Sequence, residues 1–132
     1  MISADDQVLI DRAAALVSSL PADENHTVAA VARDVQGRLY EGINLYHFTG
    51  GPCAEPVALA VAAAQQAAPL DLIVAVGNRS RGVLAPCGRC RQIMFDYHPN
   101  LDVLVPDGLQ LRRVNIRELL PYTYDWNAEN EG

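Results

Sequence analysis

Apolar and polar positions alternate with two different periods along the chain, and the changes of period mark the elements. Apolar residues at Val8, Leu9, Ala13, Leu16, Val17 and Leu20 recur at helical spacing. Ser3 precedes them as a cap, with Asp5 and Asp6 in the first turn, where the helix dipole favours acids. Pro21 and the polar run to Asn25 end that helix. Residues 26–33 and 38–45 read as two strands joined by a hairpin turn, Gly37 supplying the positive φ. A Gly-rich loop, 48–52, leads into an Ala-rich helix predicted over 53–68 and stopped by Pro69. The run at 72–76 is continuously apolar, as a strand covered on both faces must be. Residues 78–82 read as a polar loop, 87–97 as a second buried helix, 102–105 and 109–111 as strands, and 115–120 as a brief helix.

This order alternates strands and helices in its middle and holds one hairpin. Alternation implies parallel crossovers and the hairpin an antiparallel pair. The expected fold is α/β in three α/β/α layers, a mixed five-stranded sheet flanked by helices. The 132 residues suffice for one domain, 1–132, with an acidic, frayed tail over 125–132.

Half the residues are hydrophobic and 20% are charged, the balance of a soluble globular chain. No apolar run nears the length of a membrane span. The acidic N-terminus reads as neither a secretory signal nor a transit peptide, so the expected location is cytoplasmic. The formal charge is −6, with ten Arg against sixteen acids. That counts against a nucleic-acid partner. There is no Lys, which excludes a Lys nucleophile or Schiff base.

The three cysteines change the picture most. An odd count argues against a disulfide framework. Cys53-Ala54-Glu55 opens one helix and Pro86-Cys87-Gly88-Arg89-Cys90 opens the other. Cys87 and Cys90 are one turn apart and share a face. Parallel βα units bring helix N-termini to one sheet edge, so the three thiols can converge. Three thiolates suit zinc and leave its fourth position to water, unlike a closed structural site. Glu55, two residues after a ligand, can take a proton from that water and pass it on. Arg89, between two ligands, is placed to hydrogen-bond the sulfurs and offset their charge. Alone, a C-x-x-C pair is as readily half of a structural site or a redox pair. A closed Cys3His site using His47 or His98 is the rival, and nothing in it calls for Glu55. The combined pattern is that of zinc-dependent base deaminases, with Cys in place of His as first ligand.

These segments, with 42–55, 81–92, Arg117 to Pro121, Tyr124 and Trp126, make the chain similar to the cytidine deaminase superfamily over essentially its whole length. The likeness is greatest to the branch that acts on cytosine nucleoside antibiotics such as blasticidin S. It implies one zinc per subunit on Cys53, Cys87 and Cys90, Glu55 as proton shuttle, and a homotetramer with shared active sites. The implied reaction converts the C4 amine of a free cytosine nucleoside to the uracil form with release of ammonia. The alternatives are a cytosine nucleoside antibiotic, another free nucleobase, or a non-catalytic zinc module. Ordinary cytidine deaminases carry Asn-x-Glu in the second strand, whereas this chain has Asn44-Leu45-Tyr46. Ala54, Asn44 and Tyr46 are therefore candidate substrate contacts. His26 stacks on the base or is a strand-edge residue. Phe48 covers the pocket or joins the core. Tyr124 and Trp126 reach a substrate or a neighbouring subunit. The Ala-rich face over 58–68 would let helices approach closely around a tetramer axis.

Overall fold

The computed structural model describes residues 2–130. The first helix, α1, spans Ala4–Ser19. Ser3 and Asp6 close a capping box at its start: Ser3 Oγ accepts the Asp6 N–H at 3.1 Å, and the Asp6 carboxylate accepts the Ser3 N–H at 3.4 Å. Strands β1 (Val28–Asp34) and β2 (Leu39–Ile43) follow as a hairpin. Next come α2 (Ala54–Ala64), β3 (Leu70–Gly77), β4 (Gly82–Leu84), α3 (Gly88–Tyr97), β5 (Asp102–Asp107) and β6 (Gln110–Asn115). A 3-10 turn, Ile116–Leu119, and α4, Trp126–Asn130, complete the chain.

Five strands lie in the order β2-β1-β3-β5-β6, a mixed sheet in which only β3 and β5 pair in parallel. The short β4 adds a sixth. It pairs with Ala75–Gly77 on the edge of β3 that β5 uses at Leu72 and Ile73. The polar loop read over 78–82 is the turn of this β3–β4 hairpin up to residue 81, and β4 itself is a strand the sequence reading does not contain.

Strand alternation sorts the core into two layers. Ala29, Val31, Leu72, Val74 and Val76 face α1 through Leu9, Ala13 and Val17. Ala30, Ala32, Ile73 and Ala75 face α2 and α3 through Ala58, Leu59, Ala62, Cys90 and Met94. The second face is made of small residues, so α2 sits deep on it. Gly42 of β2 is part of that fit: a Cβ there would lie 2.9 Å from Ala54 O and from Ala58 Cα, and closer still to Ala58 N.

α2 ends at Ala64, short of Pro69. Gln66 adopts φ +57, and the N–H groups of Gln66 and Ala67 turn back to the carbonyls of Ala63 and Ala62. That is a Schellman ending with Gln where Gly is usual. Asp34, wholly buried, then accepts the Ala68 N–H at 3.2 Å and stops the helix before proline does. The same carboxylate accepts the Tyr40 hydroxyl at 2.7 Å and the N–H groups of Gln36 and Arg38. One side chain so ties the β1–β2 turn to the end of α2.

On the other face Asp6 accepts from Arg33 at 3.5 Å and from Arg113 at 3.1 Å. Arg33 also reaches Asp71, and Arg113 reaches Asp102. This network joins α1 to β1, β3, β5 and β6. The C-terminal segment read as a frayed tail contains α4, laid against α3. Gln92 donates to the Tyr124 carbonyl at 2.9 Å, and Asn127 donates to the Asp96 carbonyl at 3.2 Å. Residues 131 and 132 of that tail lie outside the described residues. Among the described residues, no helix is long and apolar enough to cross a membrane.

Candidate metal centre and active site

Both helices on the small-residue face begin with cysteine. Cys53 caps α2 at φ −69, ψ 167, and Cys87 caps α3 at φ −69, ψ 168. Neither thiol closes a conventional side-chain cap, although the Cys87 sulfur lies over the N–H groups of Arg89 and Cys90 at the start of α3. β2 runs antiparallel to β1, and β1 antiparallel to β3, so β2 and β3 share a direction. α2 follows β2, and β4 returns along β3 only as far as Ala75 before α3 begins, so both helices start near the same edge of the sheet. Cys90, one turn into α3, is wholly buried beneath the pair.

The three sulfurs meet. Cys53 Sγ is 3.9 Å from Cys87 Sγ, Cys87 Sγ is 3.5 Å from Cys90 Sγ, and all three lie within 4.8 Å of one another. Tetrahedral zinc with Zn–S bonds of about 2.3 Å requires sulfurs about 3.8 Å apart. The donor set fits: three soft thiols on rigid helix starts, with one coordination position left open. Cys53, Cys87 and Cys90 are the residues that could hold the metal.

Electrostatics points the same way. Burial, with the nearby Glu55 carboxylate, pushes the Cys90 thiol far above its ordinary range. Burial, then the neighbouring sulfur charge, raises Cys53. Burial opposes ionisation at Cys87 too, but backbone N–H groups of Cys90 and Arg89 on its sulfur outweigh it and hold that thiol down. Three thiolates this close, one of them wholly buried, call for a cation.

Glu55 stands in the first turn of α2, 6% exposed. Its Oε1 is 3.9 Å from Cys90 Sγ, and burial raises its carboxyl above the ordinary range. Sulfurs and carboxyl together line a cavity of about 270 Å³. Asn44, Tyr46, Ala54 and His47 also line it, with Val28, Leu84 and Ala85 as apolar walls. Among the described residues, no Arg lines the cavity.

The other candidates divide. Ala54 is buried against the cavity beside Cys53. Asn44 reaches its wall, but its Oδ1 accepts the N–H groups of Thr27 and Val28 at 2.7 and 3.0 Å, and its Nδ2 donates to Thr27 Oγ1. The amide thus holds the start of β1. Tyr46 is at the mouth, 63% exposed. His26 lies elsewhere, in a groove beside the end of α1, donating from Nδ1 to the Asn44 carbonyl at 2.8 Å. Phe48 neither lines the cavity nor enters the core. It is 85% exposed at the loop tip, its ring 4.5 Å from that of His47. Tyr124 and Trp126 are exposed on the far side of α3, where the Gln92 and Asn127 bonds hold their segment. The Arg89 guanidinium donates to the Gly51 carbonyl at 3.2 Å and not to a sulfur. It is the Arg89 backbone N–H that serves the Cys87 sulfur.

Val28, Leu84 and Ala85 were not foreseen as cavity walls. The available signal was the Gly82-Val83-Leu84 run, one residue before Pro86 and Cys87, a strand too short to register by periodicity.

Comparison with known proteins agrees with this geometry. Residues 3–104 match the family described as the cytidine and deoxycytidylate deaminase zinc-binding region. The chain is 32% identical over 135 residues to the blasticidin-S deaminase of Bacillus cereus, with 96% of each covered. It superposes on the cytidine deaminase of Burkholderia pseudomallei with a TM-score of 0.72 at 28% identity, over 93% of this chain and 100% of that one. For the cytidine deaminase of Mycobacterium tuberculosis the TM-score is 0.75 at 23% identity, over 92% and 98%, a likeness of fold. A buried acid beside three converging thiols, on a sheet shared with these enzymes, places the chain: it belongs to the cytidine and deoxycytidylate deaminase family, as a zinc-binding deaminase.

Proposed function

We propose that this chain hydrolyses the C4–N bond of a free cytosine nucleoside, giving the uracil form and ammonia. The observation that carries the reading is Glu55, a carboxyl kept dry within 3.9 Å of a thiol in a three-thiol cluster, facing a cavity of about 270 Å³. Cys53, Cys87 and Cys90 would hold one zinc per subunit, which when bound supplies Lewis-acid activation of water. Glu55 is the catalytic residue. It takes a proton from the attacking water and delivers it to N3 as the C4–O bond forms, then takes the proton of the new C4 hydroxyl and delivers it to the amine as the C4–N bond breaks and ammonia leaves. Burial, which raises its carboxyl above the ordinary range, favours holding the proton it takes until it is passed on. Ala54 packs beside the base, and Val28, Leu84 and Ala85 exclude bulk water.

The wall supports a nucleoside over a nucleotide or polynucleotide: among the described residues no Arg lines the cavity, the sequence has no Lys, and the net charge is −6. A second reading is a cytosine nucleoside antibiotic such as blasticidin S. Two observations favour it, the relatedness to the Bacillus cereus enzyme and the sugar side of the site. There Asn44 is spent on backbone and an exposed Tyr46 replaces the acid of ordinary cytidine deaminases.

We further read residues 1–132 as one deaminase domain acting as a cytoplasmic homotetramer, Tyr124 and Trp126 reaching a neighbouring subunit. An apolar concavity over α2 and α3, lined by Leu59, Ala63, Ile93 and Tyr97, supports the assembly, and three unpaired thiols suit a reducing compartment. Sedimentation checks the first point. The central test is an ultraviolet assay offering cytidine, deoxycytidine, cytosine, blasticidin S and guanine, with ammonia release in parallel. Turnover of a cytosine nucleoside is expected, and its absence across the panel overturns the function.

A further inference from the structure

Arg89 lies between two thiols of the cluster, yet its guanidinium goes to neither. Its Nη2 donates to the carbonyl of Gly51, 3.2 Å away. Gly51 is two residues before Cys53, at the neck of the loop over 45–52. That neck is closed by the Leu45 N–H on the Pro52 carbonyl at 3.1 Å. It is also pinched, because a Cβ on Gly51 would collide with the Leu45 carbonyl. No side chain but hydrogen fits there. The carbonyl that Arg89 holds is therefore at a fixed point of the loop.

One bond thus spans two segments that are far apart in sequence and must stay in register. One carries Cys53; the other, the first turn of α3, carries Cys87 and Cys90. The loop in turn places Tyr46 and His47 on the cavity wall. We propose that Arg89 is a positioning residue, a tie from the first turn of α3 to the loop neck that keeps Cys53 aligned with Cys87 and Cys90 and fixes the cavity mouth. The proposal rests on the deaminase reading only where it concerns substrate.

The alternative role, neutralising thiolate charge, makes the opposite demand. Without a neutralising cation, zinc would be held as tightly or more tightly and kcat alone would fall. Without a tie, zinc escapes faster and the loop opens. The test uses zinc-loaded parent, Arg89→Ala and Arg89→Lys. Zinc transfer to a chromophoric chelator, limited proteolysis within 45–52, and kcat and KM are measured on each. Arg89→Ala is expected to release zinc about tenfold faster, the worth of one charge-assisted hydrogen bond. It is also expected to be cut sooner in the loop and to show its loss chiefly in KM. Arg89→Lys, which keeps one donor, should recover part of all three. Parental zinc transfer and proteolysis in Arg89→Ala, with or without a fall in kcat, overturn the tie. If the parent turns over no cytosine nucleoside, the deaminase reading fails while zinc transfer and proteolysis still decide the role of Arg89.

Discussion

Replacing Gly42 with Ala tests whether the packing of α2 on the sheet sets the metal centre. The added Cβ would stand 2.9 Å from Ala54 O and Ala58 Cα. Ordinary carbon contacts need about 3.5 Å. The first turns of α2 must then retreat from β2 by about 0.5–1 Å, because the opposing atoms are helix backbone and cannot rotate away. Overpacking of this kind costs about 2 kcal/mol. For a chain of this length that corresponds to a Tm lower by about 7 °C. The retreat acts where it matters, since Ala54 lies between Cys53 and Glu55. With sulfurs already 3.5 and 3.9 Å apart, a shift of that size spoils tetrahedral spacing. A misplacement of this scale lowers kcat/KM by about 10- to 100-fold. Thermal melts, zinc content and steady-state rates on parent and variant read all three effects. Gly88→Ala, where a Cβ meets nothing within 4 Å, is the stability control, and a helical Gly→Ala change there should not destabilise. If Gly42→Ala kept the parental Tm and kcat/KM, the claim that a hydrogen-sized side chain on β2 sets the depth of α2 would be false.

Glu55→Gln should lower turnover by about 10³-fold while the protein keeps one zinc per chain, and a variant with near-parental kcat would remove Glu55 from the proton path. Dialysis against a strong chelator should abolish activity yet leave the far-ultraviolet spectrum largely unchanged, because both core layers are held chiefly by apolar side chains, Cys90 being the one ligand buried in them; restoring zinc should restore turnover. Asp34 is held at about 2, since hydrogen bonds from Tyr40, Arg38, Gln36 and Ala68 overcome the upward push of its burial. Its folded pKa is below the unfolded value of about 3.9, so its stabilisation is complete above that value and lost as the pH falls toward 2. Tyr40→Phe removes the hydroxyl donor, and acid unfolding followed by fluorescence should then begin at higher pH than in the parent. Asp6→Ala removes one partner from each of two arginines and the reciprocal half of the α1 capping box. Because Arg33 keeps Asp71 and Arg113 keeps Asp102, the loss should be about 2 kcal/mol in urea unfolding, and an unchanged midpoint would show that the network contributes nothing.

Much of this arrangement is legible along the chain where short-range chemistry decides it. Ser3 with Asp6, and the cysteines opening two helices, are local signals, and the helices begin where those residues stand. Endings are harder. Pro69 is the visible stop for α2, but Gln66 enters the left-handed region and Asp34 takes the Ala68 N–H, a partner 34 residues away. β4 is three residues long and exists by pairing with β3. β6 runs to Asn115, although Arg112 and Arg113 carry no apolar alternation, because edge-strand side chains can be charged. The site follows the same rule. Convergence of the thiols follows from topology, which the pattern of elements implies. The directions of the Arg89 and His26 side chains depend on which carbonyl the tertiary fold brings near, Gly51 in one case and Asn44 in the other. Phe48 remains outside because its loop closes through its neck and leaves its tip in solvent.

The cavity is built from two kinds of material, and this has a consequence for how such an enzyme can change. Its floor is made of helix starts seated on alanines, with Gly42 admitting no larger side chain. Its rim is made of Tyr46, His47, Leu84 and Ala85, on a loop and a three-residue strand. Mutation in the floor disturbs folding and metal together, whereas mutation in the rim alters only what is admitted. A library randomised at the rim should therefore yield variants with new substrate preferences at almost parental stability. New chemistry at the pyrimidine ring should stay out of reach of single substitutions.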